Sequence, residues 1–280
     1  MAPTVQATRF PDIHCLCYSE SGAGKTTFWA TVIDYYARHF NEPSLVFIFD
    51  PPDMATPYRD LGQVRVVEDK FYQDLGVYVE EVVDGEGHLI ARLEFYQDMD
   101  PAQPTACHKF ERRLLGFYEE SKGWASVGID SMTFFQHDAL MRAKVESGFK
   151  MFEPGKDGRQ WYAKVTEDVA ILLFSRATHW QTNVGVLCHI DENKEDFSDM
   201  GVLRTMALQG RMSKRAPSGF GEVYHLRITP KKVKDGVEYV RELQTISDDR
   251  WMGKHTVTQA PNPCAPTYEA LWANWVKGRS

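Results

Sequence analysis

The residues best suited to chemistry in this chain lie between Tyr18 and Phe28, read as Y-S-E-S-G-A-G-K-T-T-F. Ser21, Gly22, Ala23, Gly24, Lys25, Thr26 and Thr27 have the types and spacing of a loop that cradles phosphate. Gly22 and Gly24 lack a Cβ, so the backbone can curl until successive N–H groups point inward at phosphate oxygens. A helix starting behind the loop adds the partial positive charge of its N-terminus. Lys25 would reach the terminal phosphates, and the Thr26 hydroxyl would hold Mg²⁺. One position departs from G-x-x-x-x-G-K-[ST]: Ser19 stands where the first Gly is usual. Ser is small, so the loop reading survives the change.

A phosphate loop works only between a strand and a helix, and both are legible here. The apolar run Ile13–Tyr18 leads in, and helix-compatible residues follow from Thr26 to His39. Leu45–Phe49 is a continuous apolar run ending at Asp50, which fits a buried parallel strand. Further strands are expected at Trp124–Ile129, ending in Asp130, and at Val184–Cys188, ending at His189. Single helices are expected over Ala106–Lys122, Thr133–Val145 and Trp161–Ala177. Between about residues 62 and 100 the pattern turns β-like around the turn Asp84-Gly85-Glu86-Gly87, so a β-hairpin inserted at the sheet edge is expected. Residues 191–199 read as a loop. Two late strands, Gly221–Ile228 and Val237–Thr245, are expected to pair as a hairpin. A Pro-rich segment from Pro261 precedes a last helix with Leu271, Trp272 and Trp275. The expected division is a nucleotide-binding core over residues 1–256 and a C-terminal segment over 257–280.

Asp130 sits about a hundred residues beyond the loop at the end of an apolar strand, where a Walker B aspartate would bind Mg²⁺ through water. The competing role for Asp130-Ser131 is a helix cap. His189 ends a strand expected to lie between the P-loop strand and the Asp130 strand. In P-loop proteins with such an extra strand its tip points at the γ-phosphate, so by that resemblance His189 could sense hydrolysis; the bland alternative is a solvated strand end.

Composition narrows the class. The 280 residues are 43% hydrophobic, enough for one sizeable α/β core. No apolar run approaches the ~20 residues of a membrane span. Five scattered cysteines, an odd number, fit a reducing compartment such as the cytoplasm, and none pairs at metal spacing. Cys15 and Cys17 alternate within a strand and read as packing. The net charge of −7 argues against non-specific coating of nucleic acid but leaves room for a local basic groove.

The succession of strand, P-loop and helix, Phe49-Asp50, Ile129-Asp130-Ser131 and Cys188-His189 resembles that of the RecA-like ATPases. Gly210-Arg211-Met212, Phe220-Gly221-Glu222-Val223 and Leu243-Gln244-Thr245 resemble bacteriophage ATP-binding proteins of that group, some of them single-strand annealing proteins or minimal recombinases. The resemblance spans roughly residues 10–256. It implies a RecA-like α/β fold, a mostly parallel sheet flanked by helices with the inserted hairpin and late antiparallel strands. It also implies binding of Mg-ATP and single-stranded DNA, assembly into rings or filaments, and, for a phage-encoded protein, the host cytoplasm and a possible phage single-stranded-DNA-binding protein as partner. RecA-like recombinases usually end the second strand in Asp-x-Glu, whereas this chain has Asp50-Pro51-Pro52-Asp53. Asp53 could substitute as the base; otherwise hydrolysis is slow or the base lies elsewhere.

The family's first mobile loop would span about Lys144–Trp161. Lys150, Phe152, Lys156, Arg159 and Trp161 interleave cations with aromatics there, which suits phosphates and unpaired bases. A plain solvated loop would look similar. After the late strands the family places a cation that meets the neighbouring subunit's γ-phosphate, and Lys254 is the candidate. A helicase or helicase-loading motor would share this core. A P-loop kinase acting on a small molecule is the other rival.

Overall fold

The apolar runs become strands because both of their faces are covered. The computed structural model describes residues 8–98, 100, 103–148, 159–190, 196–198, 201–203, 206–208, 211–233, 236–249 and 251–278. The first half comprises β1 (His14–Ser19), α1 (Lys25–Phe40), β2 (Ser44–Ile48), α2 (Thr56–Arg59), β3 (Gln63–Val66), α3 (Lys70–Leu75), β4 (Tyr78–Val83), β5 (Leu89–Phe95), α4 (Ala106–Arg113) and α5 (Phe117–Ser121). Then come β6 (Ser126–Asp130), α6 (Met132–Glu146), α7 (Arg159–Ala170), β7 (Asn183–His189), β8 (Asp196–Ser198), β9 (Gly201–Leu203), α8 (Met212–Arg215), β10 (Glu222–Val233), β11 (Gly236–Gln244), α9 (Tyr268–Leu271) and α10 (Ala273–Lys277).

Among the described residues the main sheet has nine strands in the order β11-β10-β1-β7-β6-β2-β5-β4-β3. The run from β10 to β5 is parallel, and β11, β4 and β3 are antiparallel additions. The expected α/β fold is therefore present. β7 separates the P-loop strand from the Asp130 strand, as the RecA-like resemblance implies. The expected hairpin is β4 and β5; its return strand joins the parallel sheet beside β2, and β3 extends it by one more strand.

Period-2 alternation sorts each strand between two layers. Leu16, Tyr18, Leu45, Phe47, Val127, Ile129, Val184 and Val186 face a core shared with α4, α6 and α7. Cys15, Cys17, Val46, Ile48 and Leu187 face the opposite core, filled by Phe28, Trp29, Val32 and Ile33 of α1 and by Tyr268, Leu271 and Trp272 near the C-terminus. The five cysteines are reduced and buried, consistent with the packing role expected for Cys15 and Cys17. No described helix is long and apolar enough to cross a membrane.

Four expectations need correction; the single last helix, for one, is α9 and α10 with Trp272 at their junction. The helix expected over residues 106–122 is two helices, because Gly116 takes φ +78° and caps α5 in the left-handed region. The stretch 161–177 is helical but widens into a π-helix over Ile171–Arg176. Part of the loop expected at 191–199 is strand, since Asp196–Ser198 pairs with Gly201–Leu203.

The α1 helix approaches the sheet closely at Trp29, and two glycines permit it. A Cβ on Gly185 would lie 2.5 Å from Trp29 Cε3, and one on Gly128 2.7 Å from its Nε1. Overpacking of a filled core costs about 1–3 kcal/mol. Gly185→Ala should lower the unfolding free energy by that amount, read in urea as a lower midpoint at unchanged m-value. A wild-type midpoint would mean that Trp29 does not fix the spacing between α1 and the sheet.

Candidate nucleotide site

Four neighbouring parallel strands, β1, β7, β6 and β2, deliver their C-terminal residues to one end of the sheet, the position where open α/β sheets bind ligands. Register does this directly: Ser19 lies opposite His189, and Ile48 opposite Asp130. After β1 the backbone turns through Gly22 at φ +74° and Gly24 at φ +108°, and Gly24 is the N-cap of α1. Both conformations are ones that only glycine adopts without strain.

Lys25 is buried, and its Nζ donates to Ser19 Oγ at 3.1 Å, Glu20 O at 3.1 Å and Ser19 O at 3.3 Å. Ser19, the departure from the usual first Gly, thus supplies a side-chain oxygen to the lysine. Burial lowers the Lys25 pKa, while the nearby Asp130 and Asp50 carboxylates oppose that shift. Nζ also lies 3.5 Å from His189 Nδ1. An ammonium can only donate, so this contact favours the tautomer with Nδ1 bare and the proton on Nε2. Nε2 in turn lies 3.6 Å from Asp50 Oδ2.

Asp130 and Asp50 are both buried. Asp130 Oδ2 accepts from Thr26 Oγ1 at 2.9 Å and from Tyr58 OH at 2.9 Å, whereas its Oδ1 is buried with no hydrogen-bond partner. Asp50 Oδ1 accepts from Ser131 Oγ at 2.5 Å. Burial, reinforced by the charge of Asp50, raises the Asp130 pKa; Thr26, Tyr58 and Lys25 pull it back. Two buried carboxylates balanced by one lysine leave negative charge uncompensated. A hydroxyl and an orphaned carboxylate oxygen are hard donors, so Thr26 and Asp130 fit Mg²⁺. Among the described residues no three His, Cys, Asp or Glu side chains converge as a self-contained metal cage.

A cavity of about 240 Å³ opens here, lined by Gly22, Gly24, Lys25, Thr26, Thr27, Asp50, Asp53, Met54, Pro57 and His189. Asp53 is exposed at its rim, on the turn before α2. The P-loop residues, Asp53 and His189 therefore share one cavity, with Asp130 joined to it through Thr26. Lys254 lies elsewhere: its backbone bridges to Val223, and its Nζ donates to Phe220 O at 2.8 Å. Arg159 is exposed at the start of α7, and Trp161 is half-buried against the core. Lys150, Phe152 and Lys156 lie outside the described residues.

Sequence reasoning did not assign Asp50, Tyr58 or Arg241 to the site. Asp50 ends an apolar strand just as Asp130 does, so its signal was present. Arg241 of β11 donates from Nε to Ala23 O at 3.1 Å, a contact across more than two hundred residues that no local pattern announces.

No known family's profile matches the sequence, and no curated protein matches it. Among solved structures, a KaiC-like protein from the hyperthermophilic archaeon Pyrococcus horikoshii OT3 is similar at 14% identity, over 84% of this chain and 79% of that one, with a TM-score of 0.43. Strand order and the placement of the loop and Asp130, not that likeness, give the mostly parallel α/β sheet that the RecA-like resemblance implies.

The lysine contact to phosphate is charge-assisted and worth about 1.5–3 kcal/mol. Lys25→Ala should therefore weaken ATP binding at least about tenfold by titration calorimetry. Unchanged affinity would place the phosphates elsewhere.

Proposed function

We propose that this chain is a Mg²⁺-dependent ATPase that acts on single-stranded DNA, assembled as a ring or filament, in phage recombination or strand annealing. The observation that carries the ATPase reading is the cavity shared by Lys25, Thr26, Asp50 and His189, with Asp130 joined to it through Thr26. In this reading Lys25 leaves the Ser19 and Glu20 oxygens for the terminal phosphates. Mg²⁺, when bound, neutralises charge on the phosphates; Thr26 and Asp130 hold it. His189, between Lys25 and Asp50, would register the γ-phosphate. Asp53 at the rim is the candidate to orient water, and its short reach predicts slow turnover.

The DNA part rests on the resemblance and on the cations and aromatics of residues 144–161. α6 begins directly after Asp130-Ser131 and leads into that stretch. Arg142 of α6 donates to Glu111 and to Asp168 of α7, both at 2.7 Å, which anchors the two flanks of the stretch. A change at Asp130 thus has a short mechanical route to the proposed DNA segment. Lys254 remains the proposed cation for a neighbouring subunit's phosphate, and a phage single-stranded-DNA-binding protein remains a proposed partner.

Single-stranded DNA should stimulate ATP turnover, and Phe152→Ala should cost roughly 1–3 kcal/mol of strand affinity by fluorescence anisotropy. Turnover indifferent to DNA but stimulated by a metabolite would instead support a small-molecule kinase. For the shared site, Lys254→Ala and Lys25→Ala subunits should each be inactive alone and regain part of the turnover when mixed. A fully active Lys254→Ala protein would end that role for Lys254.

A further inference from the structure

Tyr58 is a fully buried tyrosine on α2, part of the α1-side core, and its hydroxyl donates to Asp130 Oδ2 at 2.9 Å. A buried tyrosine hydroxyl needs a partner, and here the partner is the carboxylate of the P-loop site itself. The contact is not a packing accident of neighbours in sequence, since 72 positions separate the two residues. Burial and the surrounding carboxylates push the Tyr58 pKa up, so the group stays a donor.

The division of labour at Asp130 gives this contact its meaning. Oδ2 receives two donors, Thr26 and Tyr58, while Oδ1 receives none. Two donors on one oxygen restrict rotation of the carboxylate far better than one. The Thr26 hydroxyl is itself a candidate metal ligand, so a bound cation would compete with Asp130 for it. Tyr58 has no such second duty: its ring is locked in the core, and its oxygen makes the one contact. It is therefore the anchor for Asp130 that does not depend on the metal.

We propose that Tyr58 is a positioning residue for the divalent cation, holding the Asp130 carboxylate by Oδ2 so that Oδ1 stays available to the cation or its water. The same contact joins Asp130 to the segment that carries Asp53, Met54 and Pro57 along the cavity. The position of that rim and the orientation of the metal carboxylate are thus set together.

This inference rests on the reading of Asp130 as the metal-site carboxylate, so the test includes both residues. ATP binding is titrated with Mg²⁺, and also followed in excess EDTA, for the wild-type protein, Tyr58→Phe and Asp130→Asn. Phe keeps the ring and removes only the hydroxyl, and binding in EDTA reports an intact P-loop. Loss of a partner that orients a metal ligand typically costs about 10–100-fold in metal affinity. Tyr58→Phe should raise the half-saturating Mg²⁺ about tenfold or more while leaving EDTA binding near wild type. If Asp130→Asn shifts the Mg²⁺ midpoint and Tyr58→Phe does not, Tyr58 is only a core residue and the metal reading stands. If neither shifts it, the metal reading fails and takes this proposal with it. An equal loss of binding with and without Mg²⁺ in Tyr58→Phe would also overturn it, as damage to the loop itself.

Discussion

Two buried carboxylates facing one buried lysine are the constraint on which this site depends. Burying unbalanced charge is expensive, and a protein tolerates it only with compensating partners or for a ligand that restores the balance. Asp50 and Asp130 are each held by hydroxyls, from Ser131 and from Thr26 and Tyr58 respectively. Hydroxyls orient a carboxylate but bring no positive charge. Among the described residues Lys25 supplies the full positive charge, and His189 lies between it and Asp50. Burial first, and the charge of Asp50 second, raise the Asp130 pKa. Mg²⁺ beside Asp130 would supply positive charge locally, while Lys25 would face the phosphates.

Much of the molecule exists to hold those groups at one sheet end. Strand register aligns Ser19 with His189, and β2 with Asp130, to the residue. Trp29 presses α1 against Gly128 and Gly185, setting how far the helix that begins at Lys25 stands from the strands that end at Asp130 and His189. At the other end of the sheet an aromatic cluster, with Phe10 stacked on Trp272 at 4.7 Å and Tyr36 hydrogen-bonded to Tyr268, secures the C-terminal part of α1. The late strands also reach the loop, through Arg241 on Ala23 O.

The parts of this arrangement that a linear reading captures are those with a local cause. The P-loop is one contiguous string, the buried strands are unbroken apolar runs, and Asp130 and His189 each close such a run. The missed parts have non-local causes. Tyr58 follows a Pro-rich turn and carries no periodic signal; only the fold brings it under Asp130. Gly128 and Gly185 look like weak strand residues until Trp29 is seen to occupy the space of their side chains. The break at Gly116 was legible in principle, but the apolar spacing of Phe110, Leu114 and Phe117 continues across it, so the period outweighed the punctuation. Asp50 closes an apolar run as Asp130 does, but its contact with Ser131 is non-local and leaves no mark in the linear pattern.

The most direct test of the charge-balance account is a crystal structure with Mg²⁺ and a non-hydrolysable ATP analogue. The account predicts Lys25 Nζ withdrawn from Ser19 and Glu20 onto the terminal phosphates. It also predicts Thr26 on the metal and Asp130 Oδ1 within one water of it, with Tyr58 still on Oδ2. Nucleotide bound away from residues 21–27, or Mg²⁺ bound with Asp130 Oδ1 still unengaged, would contradict it.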